Sequence, residues 1–274
     1  MKELNAREVQ LGELSILKKM AQICEDLGLR YFLMYGTLLG AIRHQGFIPW
    51  DDDLDIFMTP DQYERFKEAF EREAGGSFVL QEWRSVPDYL EYAKVRMNGT
   101  TFIEPQFRDR RDLHQGIYVD IMILHKVPEN KLIQRLVYYE SKYVTLYGIS
   151  QRGWKPKNRK HALALCLLKV LPNRWLASKC YQRIYRYRNL ETGFYWCYWI
   201  TKASFRGGLF EEQYFSKPTD IHFEDTKLMG SHYIREYLAA RYGDYMKLPS
   251  EAEQKAAVHA EIFDTEIDFR EYMR

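Results

Sequence analysis

GTLLGAIRHQGFIPWDDDLDIFM, residues 36–58, sets a cluster of aspartates between two apolar segments. The aspartates are Asp51, Asp52, Asp53 and Asp55. Because successive side chains of an extended strand point to opposite faces, Asp51, Asp53 and Asp55 are predicted to share one face. Asp52 would then share the other face with the apolar residues at positions 54 and 56. The stretch therefore predicts a row of carboxylates on one side and a buried surface on the other.

Carboxylates this close together repel one another and resist joint ionisation, so a cation normally lies between them. Oxygen ligands favour a hard cation such as Mg²⁺ or Mn²⁺. The alternative is a solvated acidic loop, which is the usual meaning of a run of charges. Trp50 before the aspartates and the apolar end of the stretch, Leu54–Met58, favour a position next to the core. We interpret the cluster as a candidate metal site.

A strand–turn–helix pattern precedes the aspartates. Residues 30–35, which include the apolar run Tyr31–Tyr35, predict a strand, and Gly36 and Thr37 predict a turn into a short helix over Leu38–Arg43. Backbone N–H groups at such a turn and helix N-terminus form an anion site. Arg43, at the end of that helix, is either a phosphate contact or simply a favourable charge at a helix C-terminus.

Asp120 interrupts an apolar strand predicted over Ile117–Leu124. A carboxylate in a buried strand is costly unless it is ion-paired or bound to a metal. A structural salt bridge is one interpretation. The other is a third carboxylate of the same site, which would close the metal shell or act as a general base. The aspartates upstream favour the second interpretation.

Lys94 and Arg96 fall on one face of a strand predicted over residues 89–97. Asn98 and Gly99 predict a hairpin turn from that strand into the next one, over residues 101–104. Two cations on one strand face are typical of an exposed sheet surface, and they are equally compatible with a phosphate site.

The segment YGTLLGAIRHQGFIPWDDDLDI, residues 35–56, resembles the signature of the LicD family, which includes the fukutin-type phosphotransferases. The resemblance implies a core sheet of the polymerase-beta nucleotidyltransferase type, with an acidic D-x-D on one strand and a third carboxylate on a later strand. It also implies transfer of a phospho-alcohol group from a CDP-activated donor, such as CDP-choline or CDP-ribitol, to a glycan hydroxyl. A similar Lys-x-Arg before a turn in the family favours phosphate contacts for Lys94 and Arg96.

The composition fits a globular protein with an uneven charge distribution. Of 274 residues, 46% are hydrophobic and 28% are charged, which excludes a disordered chain. Net charge is +2, but Lys126–Asn189 contains 15 Lys/Arg and 2 Asp/Glu, a local +13 that leaves −11 for the rest. The basic block would suit a membrane surface or lipid phosphate, a nucleic acid groove, or an ordinary helical subdomain.

The expected architecture is α+β (mixed α/β), with a nucleotidyltransferase-like catalytic core over residues 1–127 and a mainly helical, acceptor-binding region over residues 128–274. The N-terminus, MKELNAREVQLGEL, lacks the apolar region of a signal peptide, so a cytoplasmic enzyme is expected, with possible peripheral contact at the inner face of the membrane.

The expected reaction uses Mg²⁺ (or Mn²⁺), a CDP-alcohol donor and a glycan or lipid-linked glycan acceptor; nucleic acid is an unlikely partner. The predicted metal ligands are Asp53, Asp55 and Asp120, with Asp51 as a further catalytic residue. The predicted substrate contacts are Gly36, Thr37, Arg43, Lys94 and Arg96. Two alternatives use the same residues: transfer of NMP from an NTP to a small molecule or an RNA end, with release of pyrophosphate, and a binding protein without activity.

Overall fold

The computed structural model describes residues 6–82, 92–151, 158–170, 173–201, 203–255 and 259–273. Its helices are α1 (Ala6–Asp26), α2 (Tyr35–His44), α3 (Pro60–Glu73), α4 (Lys131–Gln151), α5 (Arg159–Val170), α6 (Asn173–Tyr185), α7 (Ile234–Tyr242) and α8 (Glu251–Lys255). Its strands are β1 (Phe32–Leu33), β2 (Asp55–Met58), β3 (Phe78–Glu82), β4 (Tyr92–Met97), β5 (Thr101–Ile103), β6 (Tyr118–Ile123), β7 (His125–Pro128), β8 (Phe194–Cys197), β9 (Leu209–Glu211), β10 (Pro218–Phe223), β11 (Thr226–Ser231) and β12 (Ile262–Asp264). The mixed α/β class is confirmed.

The chain divides into two compact units. The first is drawn from Met1–Gln81, Ala93–Met122 and Tyr214–Arg274, and the second from Glu82–Tyr92 and Ile123–Gln213. Residues from Tyr214 onward thus belong with the N-terminal part of the chain. The boundary expected at residue 127 stays a prediction.

A five-stranded sheet in the order β1-β2-β6-β4-β3 forms the centre of the first unit. Its strand β1 pairs antiparallel with β2, with Phe32 opposite Phe57. Most apolar side chains of α1 are buried, and α1 ends before Gly28, whose φ of +61° suits a helix terminator. The three central strands β2, β6 and β4 carry Asp55, Asp120 and Lys94 respectively, so this sheet order decides which of these side chains are neighbours.

The predicted hairpin at Asn98 and Gly99 is wrong. Strand β5 does not pair with β4; it pairs antiparallel with β12, where Phe102 lies opposite Phe263. The reason is that β4 lies between β6 and β3, so both of its edges are already hydrogen-bonded. Part of the strand predicted over residues 89–97 lies outside the described residues.

Two further boundaries differ from expectation. Helix α2 begins at Tyr35, so Gly36 and Thr37 lie in its first turn and not in a turn before it. Strand β2 begins at Asp55, so residues 51–54 lead into the strand without being part of it.

The second unit combines helices α4, α5 and α6 with the antiparallel sheet β7-β8-β9. Its core contains Val127, Val137, Ile184, Cys197, Trp199 and Ile200. Within the described residues, none of the helices has the length and apolar character that crossing a bilayer requires.

Candidate active site

The aspartates before β2 alternate between two environments, as the sequence predicts. Asp51, Asp53 and Asp55 are half-buried, whereas Asp52 is fully buried along with the apolar residues at 54 and 56. Asp52 accepts hydrogen bonds from the backbone N–H groups of His259 and Ala260, at 2.9 and 3.0 Å. It therefore anchors a distant segment of the chain.

The first turn of α2 packs directly on this acidic segment. A Cβ atom added to Gly36 would lie 2.8 Å from Oδ2 of Asp51, closer than real Cβ contacts. The Thr37 hydroxyl accepts a hydrogen bond from the backbone N–H of Asp55 at 2.8 Å. Gly36 thus leaves room for the Asp51 carboxylate, and Thr37 fixes the start of β2.

Asp120 lies on the strand next to β2, where its backbone N–H donates to the carbonyl of Leu54 at 2.9 Å. Lys94 Nζ lies 2.8 Å from Asp120 Oδ1 and 3.0 Å from Oδ2, and donates a well-directed hydrogen bond to Oδ2. Oδ1 is buried and accepts no hydrogen bond within the described residues. The Lys94 ammonium also lies 3.3 Å from the centre of the Tyr118 ring. A buried ion pair therefore occupies the middle of the sheet.

The pKa values of the four predicted catalytic carboxyls are all raised. Burial is the largest cause in each case, and it raises the pKa of Asp51 to about 8 with a further contribution from Asp53. The pKa of Asp55 is raised well above its usual value by burial and then by the charges of Asp53 and Asp120. For Asp53 and Asp120, the positive charge of Lys94 opposes the rise. These side chains form one electrostatic cluster in which each carboxyl opposes the ionisation of the others.

The chemistry of this cluster fits a hard divalent cation, since its donors are carboxylate oxygens. One carboxylate oxygen, Oδ1 of Asp120, is buried and accepts no well-directed hydrogen bond from the described residues, although the Lys94 ammonium lies 2.8 Å from it. Among the described residues, no three His, Cys, Asp or Glu side chains are arranged as a metal site. The ammonium of Lys94 provides the positive charge beside Asp120.

Arg96 does not join Lys94 at the cluster. Its side chain is 1% exposed, and its guanidinium donates to Gln81 Oε1 at 2.6 Å and to the Gly116 carbonyl at 2.8 Å. Its guanidinium also lies 4.9 Å from the centre of the Tyr118 ring. The two cations predicted as a pair therefore have different surroundings, one beside the carboxylates and one in the core.

Arg43 lies at a cavity of about 730 Å³ that Gly36 and Asp51 also line. Its guanidinium is 5.9 Å from the centre of the Trp50 ring and donates to the Tyr245 carbonyl at 3.2 Å. The far wall comes from the C-terminal part of the first unit, which contributes Tyr242, Asp244, Tyr245, Lys247, Leu248, Pro249, Ser250 and Glu253. The cavity thus combines aromatic, cationic and acidic groups beside the carboxylate cluster.

Two residues of this site were not expected from the sequence. Glu13 on α1 is fully buried, and neither carboxyl oxygen has a hydrogen-bond partner within the described residues. Burial, followed by the charges of nearby aspartates, raises its pKa well above the usual value. The spacing Val9, Glu13, Leu17 places this carboxyl on the apolar face of the helix, and that was a signal in the sequence.

His259 is the second such residue. Its Nδ1 lies 2.9 Å from Asp52 Oδ1 and 3.8 Å from Asp53 Oδ2. The hydrogen bond to Asp52 raises the pKa of the imidazole to about 9, so it is a cation at neutral pH. The lone histidine in its sequence context offered no signal for this position.

Known proteins resemble this chain in the region that contains the predicted site residues. The chain matches a family model described as LicD/FKTN/FKRP, nucleotidyltransferase domain, over residues 28–147, which include every predicted site residue. It is 30% identical over 261 residues to the lipopolysaccharide cholinephosphotransferase LicD of Haemophilus influenzae, a match that covers 93% of this chain and 96% of the relative. It is 29% identical over 96 residues to the ribitol 5-phosphate transferase FKRP of Homo sapiens, covering 35% of this chain and 18% of that protein. The chain therefore belongs to the LicD family of phosphotransferases.

Proposed function

We propose that this enzyme moves a phospho-alcohol group, phosphocholine or a similar group, from a CDP-activated donor to a hydroxyl of a cell-surface glycan or its lipid-linked precursor, and releases CMP. The observation that carries the proposal is the carboxylate cluster formed by the segment that leads into β2, by β2 and by the adjacent strand β6, beside a cavity that Arg43 lines. The relative with nearly full coverage is named as a lipopolysaccharide cholinephosphotransferase, which supports a choline-bearing donor and a glycan acceptor. A nucleotidyltransferase-like core is part of this proposal.

Asp53, Asp55 and Asp120 would hold Mg²⁺ or Mn²⁺, which would supply positive charge to the diphosphate of the donor. Without a cation, burial and the neighbouring carboxylates raise the pKa of Asp55 and oppose its ionisation. A divalent cation would favour the ionised carboxylates and offset the repulsion between them and an anionic diphosphate. Lys94 contributes one positive charge from the chain itself. Its proposed role is to neutralise phosphate charge.

In the proposed reaction the acceptor hydroxyl attacks the phosphorus that carries the alcohol. A P–O bond forms to the acceptor, the P–O bond to the CMP phosphate breaks, and CMP leaves with that electron pair. A carboxylate of the cluster would accept the hydroxyl proton as a general base. Asp120 is our candidate for this role, with Asp51 supporting the cluster from the cavity side.

We assign the cavity to the nucleotide half of the donor. Arg43 lies near the face of Trp50, and Lys247 lies in the same lining, so the cavity contains two cations. A quaternary ammonium group prefers aromatic faces without competing cations, which argues against a choline site here. A nucleotide offers phosphate for the cations and a base that can stack on an aromatic ring. Gly36 and Thr37 keep the neighbouring acidic segment in place.

Arg96 is assigned a different role from the one that the sequence suggested. Since its donors bond to Gln81 and to a backbone carbonyl, we propose that Arg96 braces the sheet behind Lys94. This assignment does not affect the proposed chemistry, which uses Lys94.

A donor screen tests the proposal. Purified protein with Mg²⁺ would be incubated with CDP-choline, CDP-ribitol or single NTPs, together with a glycan acceptor, and CMP and pyrophosphate would be measured. We expect CMP from a CDP-alcohol and no pyrophosphate from any NTP. Pyrophosphate release from an NTP would replace this proposal with nucleotidyl transfer.

Matched variants extend the screen. Asp53→Asn and Asp55→Asn should each reduce CMP release by at least about 10³-fold, because the charges that hold the cation are lost. Asp109→Asn is the control, since Asp109 is an exposed aspartate away from the cluster. Full activity in both cluster variants would contradict the site assignment.

A further inference from the structure

Helix α4 exposes an apolar stripe that the proposed reaction does not use. Leu132, Leu136 and Tyr139 are 78%, 54% and 69% exposed. Their spacing of four and three residues puts them on one face of the helix. The opposite face is buried, including Val137 in the core of the second unit. The exposed stripe is therefore not a consequence of a poorly packed helix.

Helices α5 and α6, which both contact α4, also expose apolar side chains. Leu163 and Leu167 are 62% and 51% exposed on α5, and Trp175 is 66% exposed on α6. Asn173, at the start of α6, joins the three helices: its Nδ2 donates to the Leu167 carbonyl at 3.2 Å, and its Oδ1 accepts from the hydroxyl of Tyr143 at 2.6 Å. The apolar patch is defined by Leu132, Leu136, Tyr139, Leu163, Leu167 and Trp175.

Basic side chains surround the apolar patch. Lys131 and Arg135 flank the leucines of α4, Lys160 precedes those of α5, and Arg174 is next to Trp175; all four are exposed. Between residues 131 and 185 the sequence has one acidic residue, Glu140, which is buried and ion-paired with Arg183. The surroundings of the patch therefore carry nearly uncompensated positive charge.

We propose that the apolar patch and its basic rim dock on the surface of an anionic lipid bilayer, with the helices lying in the interface. Exposed Leu and Trp side chains between Lys and Arg are the composition of interfacial helices, which insert apolar groups between lipids and pair cations with phosphate headgroups. A nucleic acid groove would use the cations but leave the leucines in water. A second copy of the chain would bring two basic rims together, which repel.

Vesicle sedimentation with the full chain tests the proposal. We expect binding to phosphatidylcholine vesicles that contain phosphatidylglycerol, weak binding to phosphatidylcholine alone, and a decrease at high salt. Leu132→Ser with Leu136→Ser should weaken binding by at least about tenfold, because each buried apolar carbon contributes to insertion. Lys131→Gln with Arg135→Gln should weaken it by about 25-fold, since each cation near an anionic surface contributes about fivefold.

Two control variants test whether the loss of any exposed leucine or lysine weakens membrane binding. Leu11→Ser removes an exposed leucine of α1, and Lys227→Gln removes an exposed lysine of β11; both should bind like the unmodified protein. Tryptophan emission should shift to the blue on binding, and Trp175→Phe should remove most of that shift. Circular dichroism verifies the fold of each variant.

Three results would overturn the proposal. One is equal or absent binding with and without phosphatidylglycerol. Another is loss of binding in the Leu11→Ser control to the same degree as in the leucine pair. The third is a dimer in light scattering that becomes a monomer in the leucine-pair variant, which would assign the patch to contacts between copies. None of these results depends on the transfer reaction, so they leave the proposed function to its own test.

Discussion

At the scale of single residues, Gly36 shows how closely the backbone of α2 approaches the acidic segment. An added Cβ would lie 2.8 Å from Asp51 Oδ2, so alanine at this position forces the carboxylate to move. Alanine is also about 1 kcal/mol better than glycine inside a helix. Displacement of the carboxylate lowers stability and the better helix propensity of alanine raises it, so the two effects on the free energy of unfolding offset each other. Only the displacement of the carboxylate changes the site.

We therefore predict that Gly36→Ala keeps the free energy of unfolding within about 1 kcal/mol of the original protein but reduces CMP release by at least about tenfold. Urea unfolding and initial rates on the same preparations measure the two quantities. A variant with full activity would mean that the position of the Asp51 carboxylate is unimportant for turnover.

Thr37 gives a second residue-scale prediction, which concerns stability. Its hydroxyl oxygen accepts the hydrogen bond of the Asp55 N–H, and Thr37 is buried. Thr37→Val keeps the shape and removes the acceptor, so unfolding should become easier by about 1–3 kcal/mol. Thr37→Ser keeps the acceptor and should lose less. Equal losses in the two variants, measured by urea unfolding, would show that packing and not this hydrogen bond decides the effect.

At the scale of secondary structure elements, the sequence predicted what depends on local pattern. The apolar spacing of α1, the strand at β2 and the strand at β6 all correspond to observed elements, because each signal lies within a few neighbouring residues. The alternation of burial from Asp51 to Ile56 was likewise readable from the sequence.

What the sequence did not predict are contacts between distant elements. Strand β5 pairs with β12, and the Thr101 hydroxyl donates to the Ile267 carbonyl, 166 residues further along the chain. Residues 242–253, which form one wall of the cavity, also lie far along the chain from the acidic segment. The same is true of His259, which donates hydrogen bonds to Asp52. No local pattern specifies which distant segment reaches the acidic loop, so these site residues could not be predicted from the sequence.

The segment around His259 yields a prediction for pH dependence. The pKa of His259 is raised from 6.5 to about 9, chiefly by its hydrogen bond to Asp52. A raised histidine pKa stabilises the folded state fully below about pH 6.5, and the contribution disappears as the pH rises through about 9. Because the imidazole is 46% exposed, we expect about 1 kcal/mol and not the full value of the shift.

The measurement compares the original protein with His259→Asn, which can still donate a hydrogen bond but does not titrate. The difference in unfolding free energy should be largest near pH 6 and shrink toward pH 9. A difference that is constant over this range would show that the charge of His259 does not contribute to stability.

At the scale of the whole molecule, charge is divided unevenly along the chain. The first unit contains the carboxylate cluster, and the second contains the helices with the basic rim. Both concentrations of like charge cost stability in the absence of a partner. The proposed partners, a divalent cation for one and an anionic bilayer for the other, would each offset that cost. Partner binding should therefore be visible in global stability.

The last prediction concerns the cation. The pKa of Asp51 is raised from 3.8 to about 8, so its contribution to stability is present below about pH 4 and is lost as the pH rises through about 8. Without divalent cations, the contribution of this cluster should make the thermal midpoint lower near pH 8 than near pH 5.5. Mg²⁺ should raise the midpoint by about 3 °C or more near pH 8, and by less near pH 5.5, because protons compete for the ligands.

The control is a variant that combines Asp53→Asn and Asp55→Asn. It should be at least as stable as the original protein near pH 8 without Mg²⁺, since repulsion between the carboxylates is relieved. It should also show no Mg²⁺-dependent rise in the midpoint. An equal rise in this variant would place the stabilising cation elsewhere in the molecule, and no rise in either protein would remove the support that cation binding gives to the proposed site. Since thermal scans need neither donor nor acceptor, the result bears on the metal assignment even before the substrates are identified.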